Sequence, residues 1–249
     1  MRIFPIALLP SILLSAAVLS AGTNRAAAVT TTLQAALDWT TVKVGDVEAP
    51  FSPATATAEF VLNVPGPTEF FPTTASYRIT LSGLDLDGNQ TQDSNDNVTA
   101  IHLHDLSAGI AANGGSKDGI ATGGTQHALN IYGFPGNNDP VNNPEGGDDD
   151  NNIEVFAVDN LVTGVWDDSD AVDRSAMAPG LGSTFAITAP GVIENLLAGN
   201  MYLMIHTSGS MLPGGVAIGG YLTAVPEPST ALLGFLGLGV LVARRPCRK

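Results

Sequence analysis

The sequence predicts an all-β fold, a single antiparallel β-sandwich closed by Greek-key connections, with a signal peptide before it and a short transmembrane helix after it. Three observations carry that expectation. Glycine and proline supply 28 and 16 of the 249 residues, about 18% against a usual ~12%, and they punctuate the chain throughout. Between them lie short segments rich in β-branched and aromatic residues with partial alternation, at fairly regular spacing. No convincing amphipathic helix separates these segments. Many short strands with few helices bury their apolar faces best by packing sheet on sheet.

The chain opens with Arg2, an apolar stretch from Ile3 to Leu19, and small residues ending in Ala26-Ala27-Ala28. A charged start, a short apolar centre and a small-x-small end form a secretory signal for the Sec machinery, with cleavage expected after Ala28. A retained anchor needs about 20 apolar residues and no cleavage site. Residues 29–224 follow as one domain, long enough for a real core. Its expected strands include Ala54–Phe60, Ser76–Leu81, Val98–His104, Ile153–Val158 and Met201–His206, with Gly215–Thr223 last. Gly191–Leu197 has room for one helical turn.

Charge sets limits on partners. Between residues 29 and 228 only Lys43, Arg78, Lys117 and Arg174 are basic, while all 24 acids fall there, a net charge of −20. Such a field repels nucleic acid and anionic lipid and favours cations, so no nucleic-acid partner is expected. The single cysteine, Cys247, sits in the basic tail. The 29–224 domain therefore has neither a disulfide nor thiol chemistry to draw on, and its stability must come from packing or a bound metal.

Two acidic surface loops are expected, at 85–97 and 136–152. Asp, Asn and carbonyl oxygens on tight glycine turns are hard ligands suited to calcium. Asp85, Asp87, Asn89 and Asp93 in the first loop, and Asp148, Asp149 and Asp150 in the second, are the candidate calcium ligands. The first loop lacks EF-hand spacing, because Gln90 and Asp96 stand where that motif needs glycine and glutamate. Asn89-Gln-Thr91 and Asn97-Val-Thr99 spell the glycosylation sequon.

All four histidines, His102, His104, His127 and His206, are candidate metal ligands. Residues two apart on a strand share a face, so His102 and His104 can aim two imidazoles at one cation, and His206 ends another expected strand. Imidazole suits copper or zinc. A histidine on a strand is more often a hydrogen-bonded structural residue, so that role is the first expectation and metal binding the alternative. No catalytic residues are assigned: Gly-x-Ser-x-Gly, phosphate-loop and His-Glu-x-x-His motifs are all missing, and Asp167-Asp168 beside Trp166 reads as a polar turn after a strand.

At the far end Val225-Pro226-Glu227-Pro228 precedes an uncharged run, Ser229 to Ala243, and then Arg244, Arg245, Arg248 and Lys249. A helix over that run spans about 22 Å at 1.5 Å per residue, short of a roughly 30 Å hydrocarbon core. It suits a temporary hold, with the basic end cytoplasmic and everything before Val225 outside. Residues 225–249 resemble the PEP-CTERM sorting signal, with Pro226, Glu227 and Pro228 as its motif. That resemblance implies recognition by an exosortase, cleavage near the motif, and delivery to the cell surface or an exopolysaccharide matrix, with membrane contact only through the helix before cleavage.

A second resemblance covers about residues 33–224. Ala100-Ile-His-Leu-His104 and Leu197-Ala-Gly-Asn-Met-Tyr-Leu-Met-Ile-His-Thr207 look like the paired hallmarks of the CHRD (chordin) domain, preceded as in that family by a Gly-Leu-terminated strand, Tyr77–Leu84. Pro213-Gly214-Gly215 matches the family's turn, whereas the Glu-Ile-Arg-Gly usual after it is replaced by Val216-Ala-Ile-Gly-Gly220. The likeness implies a β-sandwich without established enzymatic activity, found in secreted proteins. Extracellular polysaccharide or other surface proteins are the expected partners of an exported chain. The order of His-x-His, a later His and a last His on a distant strand is also similar to the copper ligands of Cu/Zn superoxide dismutase. No cysteine pair and no further histidines for a zinc site accompany it. The expected fold is accordingly immunoglobulin- or superoxide-dismutase-like. The expected function is a non-enzymatic exported CHRD-type protein, with copper or zinc binding through the four histidines as the alternative and dismutase-like chemistry the most remote.

Overall fold

Alternation decides most of the strands. In Thr55–Val64, Ala56, Ala58, Phe60 and Leu62 are buried while Thr55, Thr57 and Glu59 face solvent, and Thr74–Ser82 buries Ala75, Tyr77, Ile79 and Leu81 in the same rhythm. Period-two burial of this kind is the signature of a sheet with one wet face. The structure is a computed structural model, and it describes residues 28–40, 42–44, 47–48, 52–67, 69–118, 120, 127–133, 152–171, 184–209 and 216–226.

The described strands are β1 (Val29–Leu37), β2 (Lys43–Val44), β3 (Val47–Glu48), β4 (Thr55–Val64), β5 (Thr74–Ser82), β6 (Val98–Asp105), β7 (His127–Tyr132), β8 (Glu154–Phe156), β9 (Leu161–Trp166), β10 (Met201–Thr207), β11 (Val216–Tyr221) and β12 (Thr223–Ala224). Helix α1 spans Ser107–Ala112 and α2 spans Val192–Leu197. A six-stranded sheet runs β12-β1-β4-β5-β9-β8 and a four-stranded sheet runs β11-β10-β6-β7, while β2 and β3 pair with each other. Every pairing between these strands is antiparallel.

One apolar core joins the sheets. Leu33, Phe60, Ile79 and Val162 from the larger sheet share a buried cluster with Ile101, Leu103, Leu129, Leu203 and Ile205 from the smaller. Trp166 closes it at one end, its indole N–H donating to the Phe185 carbonyl at 2.9 Å, and the Tyr132 hydroxyl donates to Leu86 O at 2.8 Å. Paired polar tips of this kind let large aromatics be buried at little cost. The protein is thus mostly β, with two antiparallel sheets and few helices.

Several expectations shift in detail. The strand expected over Ile153–Val158 ends at Phe156 and gives way to a 3₁₀ turn over Ala157–Asp159, which Asn160 closes at φ 48°. The last expected strand, Gly215–Thr223, breaks at Leu222, a fully buried residue where the chain leaves the four-stranded sheet for the six-stranded one. Strands β1, β2, β3, β7 and β9 and helix α1 match none of the expected segments. The one-turn helix after Gly191 is present as α2. Among the described residues no helix is long and apolar enough to cross a membrane. The signal peptide up to Ala27, the loop at 136–151 with Asp148, Asp149 and Asp150, and the run Ser229–Ala243 lie outside the described residues.

Candidate metal centre

Strand β6 is buried on both faces, and this sets up the site. Ile101 and Leu103 point into the shared core, so His102 and His104 fall on the opposite face of the four-stranded sheet. On one side of them lies β10, with Met204 opposite His102, Tyr202 opposite His104 and His206 opposite Ala100. On the other side lies β7, with Asn130 opposite His102 and His127 opposite His104. Two register shifts between β6 and β7 matter here. His127 and Asn130 are three residues apart and belong on opposite faces of a regular strand; the irregularities bring both to the histidine face.

A second apolar cluster covers the region, formed by Val42, Leu106, Ile110, Tyr202 and Met204 with Ile120 and Tyr221 packed against it. Leu106 and Ile110 come from the start of α1, which follows β6 directly. Gly219 of β11 leaves room for the Tyr202 ring: a Cβ there would stand 2.5 Å from the ring's Cε1 and hydroxyl oxygen.

All four histidines meet on this face, and the exposures of His102, His104, His127 and His206 are 3, 2, 5 and 8%. The His102 ring stacks on His206 at 4.5 Å between centroids and lies 4.0 Å from His127 and 4.9 Å from His104, with His104 and His127 4.6 Å apart. Ligand nitrogens of His102, His104 and His206 lie within 4.8 Å of one another, and this is the only such group of three or more His, Cys, Asp or Glu among the described residues. A tetrahedral shell with bonds near 2.1 Å sets its nitrogens about 3.4 Å apart, so side-chain shifts of the order of 1 Å close the group on an ion.

The electrostatics favour neutral imidazoles. Burial holds the His102 pKa well below 6.5, and its neighbours His206, His127 and His104 add to that. Burial also lowers the His127 pKa, partly offset by the hydrogen bond to Asn130. In that bond His127 Nδ1 and Asn130 Oδ1 are 2.8 Å apart. With the carbonyl oxygen accepting, Nδ1 holds the proton and Nε2 holds the lone pair, the usual way an outer partner orients a ligating histidine. Neither ring nitrogen of His102 has a hydrogen-bond partner, and neither has Asn130 Nδ2. A buried polar group left in that state costs about 1–3 kcal/mol. Asn130 escapes sequence reasoning because only the irregular pairing of β7 puts it beside the histidines.

The acidic loop is organised differently. Asp85 is buried, and its carboxylate accepts backbone N–H bonds from Asp87 at 3.2 Å, Gln90 at 2.7 Å and Thr91 at 2.9 Å. Burial alone raises its pKa, but the Thr91 and Gln90 amides and further donors outweigh that, leaving it below 3.8. Asp87 accepts from Asn89 N, and Asp93 from both Asn95 nitrogens. Each carboxylate thus turns toward amides of its own loop. Asp167 caps the 3₁₀ turn that follows β9, and Asp168 accepts from Thr188, so this pair forms a polar turn after a strand.

Pro226 is exposed just after β12, whereas Glu227 and Pro228 lie outside the described residues. None of the curated proteins matches this chain, and neither does any solved structure. Residues 224–249 match the PEP-CTERM protein-sorting motif, which supports export and surface sorting of this chain by an exosortase-dependent route.

Proposed function

We propose that this chain is a CHRD-type surface protein without catalytic activity, whose β-domain holds one copper or zinc ion in its four-histidine cluster. The observation that carries the proposal is His102, buried among three other imidazoles with no hydrogen-bond partner for either ring nitrogen. A structural histidine satisfies its nitrogens through the protein; a metal-ligating one keeps a lone pair for the ion. The depressed pKa of His102 and of His127 fits the same role, because neutral imidazole is the ligand form and little proton has to be displaced at neutral pH. Nitrogen-only donors suit copper or zinc and disfavour calcium or magnesium.

Pairing of the His-x-His strand directly with the strand ending in His206-Thr207 supports the CHRD reading, since those are the family's two hallmark segments. Near-complete burial of the cluster supports holding an ion over turning over a substrate, so dismutation is left out. Calcium at Asp85, Asp87, Asn89 and Asp93 is a weaker reading: loop amides already engage both Asp85 oxygens, while Asp87 and Asp93 each accept through one oxygen. Surface polysaccharide or neighbouring surface proteins are the setting in which such a protein acts.

The test is metal analysis with titration of the purified protein. The expected result is one tightly held zinc or copper ion per chain, lost in His102→Ala and His206→Ala. Absence of stoichiometric binding, or binding unchanged by both substitutions, overturns the proposal.

A further inference from the structure

The register of the six-stranded sheet brings the start of β1, the end of β12 and two exposed phenylalanines to one end. Strand β12 runs antiparallel to β1 from Thr223 opposite Gln34 to Ala224 opposite Leu33, and Val225 N donates to Thr32 O. The chain therefore leaves toward Val29, the first residue of β1. Val29 pairs with Val64, the last residue of β4, so the β4–β5 connection at 65–73 caps that same end. In this connection Phe70 is fully exposed and Phe71 is 76% exposed. Val29 and Val225, at the same end, are also exposed.

The connection is shaped to present the two rings. Glu69 N donates to Gly66 O at 2.9 Å and Gly66 N to the Glu69 carboxylate at 3.4 Å, closing a turn just before the phenylalanines. Pro65, Pro67 and Pro72 restrict the backbone on both sides. Adjacent exposed phenylalanines at a loop tip have no use within the fold and carry a cost in solubility.

Past Pro226 the chain needs only Glu227 and Pro228 to reach Ser229, where the uncharged run begins. That is at most about 10 Å of extended chain. Sideways, the β4–β5 tip stands two to three strands from β12, about 10–14 Å. If the tail enters a bilayer at Ser229, that bilayer comes within reach of Phe70 and Phe71. We propose that this end of the sandwich is a membrane-docking face, with Phe70 and Phe71 seated in the headgroup–acyl boundary of a neutral lipid surface while the sorting tail is still attached. Glu69, and Asp167 just after the residue paired with Ala75, put acid at the same end, so the face fits zwitterionic and not anionic lipid. The docking would hold Pro226 at the bilayer surface. It rests on the sorting tail and is independent of the metal site.

The test uses the full chain with Cys247→Ser, carrying a nitroxide at Phe71→Cys or, separately, at Val158→Cys. Val158 is 91% exposed and follows β8 at the opposite end, near the Thr80–Leu161 pair. Neither substitution removes a core contact. In phosphatidylcholine vesicles the label at 71 is expected to relax faster with oxygen than with a water-soluble nickel chelate, and the label at 158 the reverse. Replacing a third of the lipid by phosphatidylglycerol is expected to leave the contrast unchanged or smaller. A label at 71 as water-accessible as that at 158, a contrast that grows with anionic lipid, or failure of the chain to float with the vesicles overturns the proposal.

Discussion

Replacing His102 by leucine separates a metal ligand from a structural histidine, because the two roles predict opposite signs in metal-free protein. His102 is 3% exposed and has no hydrogen-bond partner for Nδ1 or Nε2. Leucine is close in volume and has no polar atom to strand. Removing one unsatisfied buried group relieves about 1–3 kcal/mol, and part of this is returned because the two side chains differ in shape. A net gain of about 1 kcal/mol is expected, which raises Tm by about 2–4 °C in a domain of this size. With metal the order inverts: an ion at a thousandfold excess over its Kd stabilises the wild type by about 4 kcal/mol and the variant by nothing. The assay is a pair of thermal melts at pH 7.5, one in chelator and one in saturating zinc, for both proteins. A His102→Leu protein that loses more than about 1 kcal/mol in chelator would refute the reasoning, since it would show that the imidazole makes stabilising contacts of its own.

Three further outcomes follow from the same geometry. Because the folded chain keeps His102 neutral well below pH 6.5, the unfolded chain binds a proton the folded one refuses. Metal-free stability is then full above about 6.5 and falls as pH drops below it; urea titrations across pH 5–8 measure this, and a flat profile refutes it. Asp85→Ala strands the amides of Asp87, Gln90 and Thr91 that now bond the carboxylate, so a loss of about 3–5 kcal/mol is expected in urea melts. Asp85→Asn, which keeps an acceptor, is expected to lose less. Gly219→Ala drives a methyl against Tyr202, whose ring is already wedged at 4.8 Å against Tyr221; a cost of about 1–3 kcal/mol and weaker zinc binding are expected, and unchanged values in both assays count against the packing described for this face.

What the sequence reveals depends on how local the cause is. Strands β4 and β5 are legible because alternation within them states which face is buried. His102 and His104 are legible as a pair because two residues on one strand share a face whatever the strand packs against. Strand β7 is different: all six of its residues are buried, so no alternation marks it, and its register shifts belong to the pairing with β6 and not to its own residues. Asn130 was missed for that reason. Helix α1 was missed because Ser107–Ala112 is a single short element with neither a side-chain cap nor a charged turn to announce it, and it is held by the packing of Ile110 on the histidine face.

The position of the cluster connects stability with destination. Had the histidines lain between the two sheets, their desolvation would weaken the core on which the fold depends. They lie instead on the outer face of the four-stranded sheet, under the second and smaller apolar cluster. The main core can therefore form without them, and the unsatisfied His102 taxes only the cover made by α1, Val42, Tyr202 and Met204. An ion would satisfy one of the two His102 nitrogens at the point where the cover closes. With no cysteine before Cys247, residues 29–224 cannot form a disulfide, and a bound metal is a cross-link this domain could acquire instead. Chelator is accordingly expected to loosen α1 and its surroundings first while the β1-β4-β5 sheet stays protected, and hydrogen exchange that rises equally in both regions would show that cover and core are one cooperative unit.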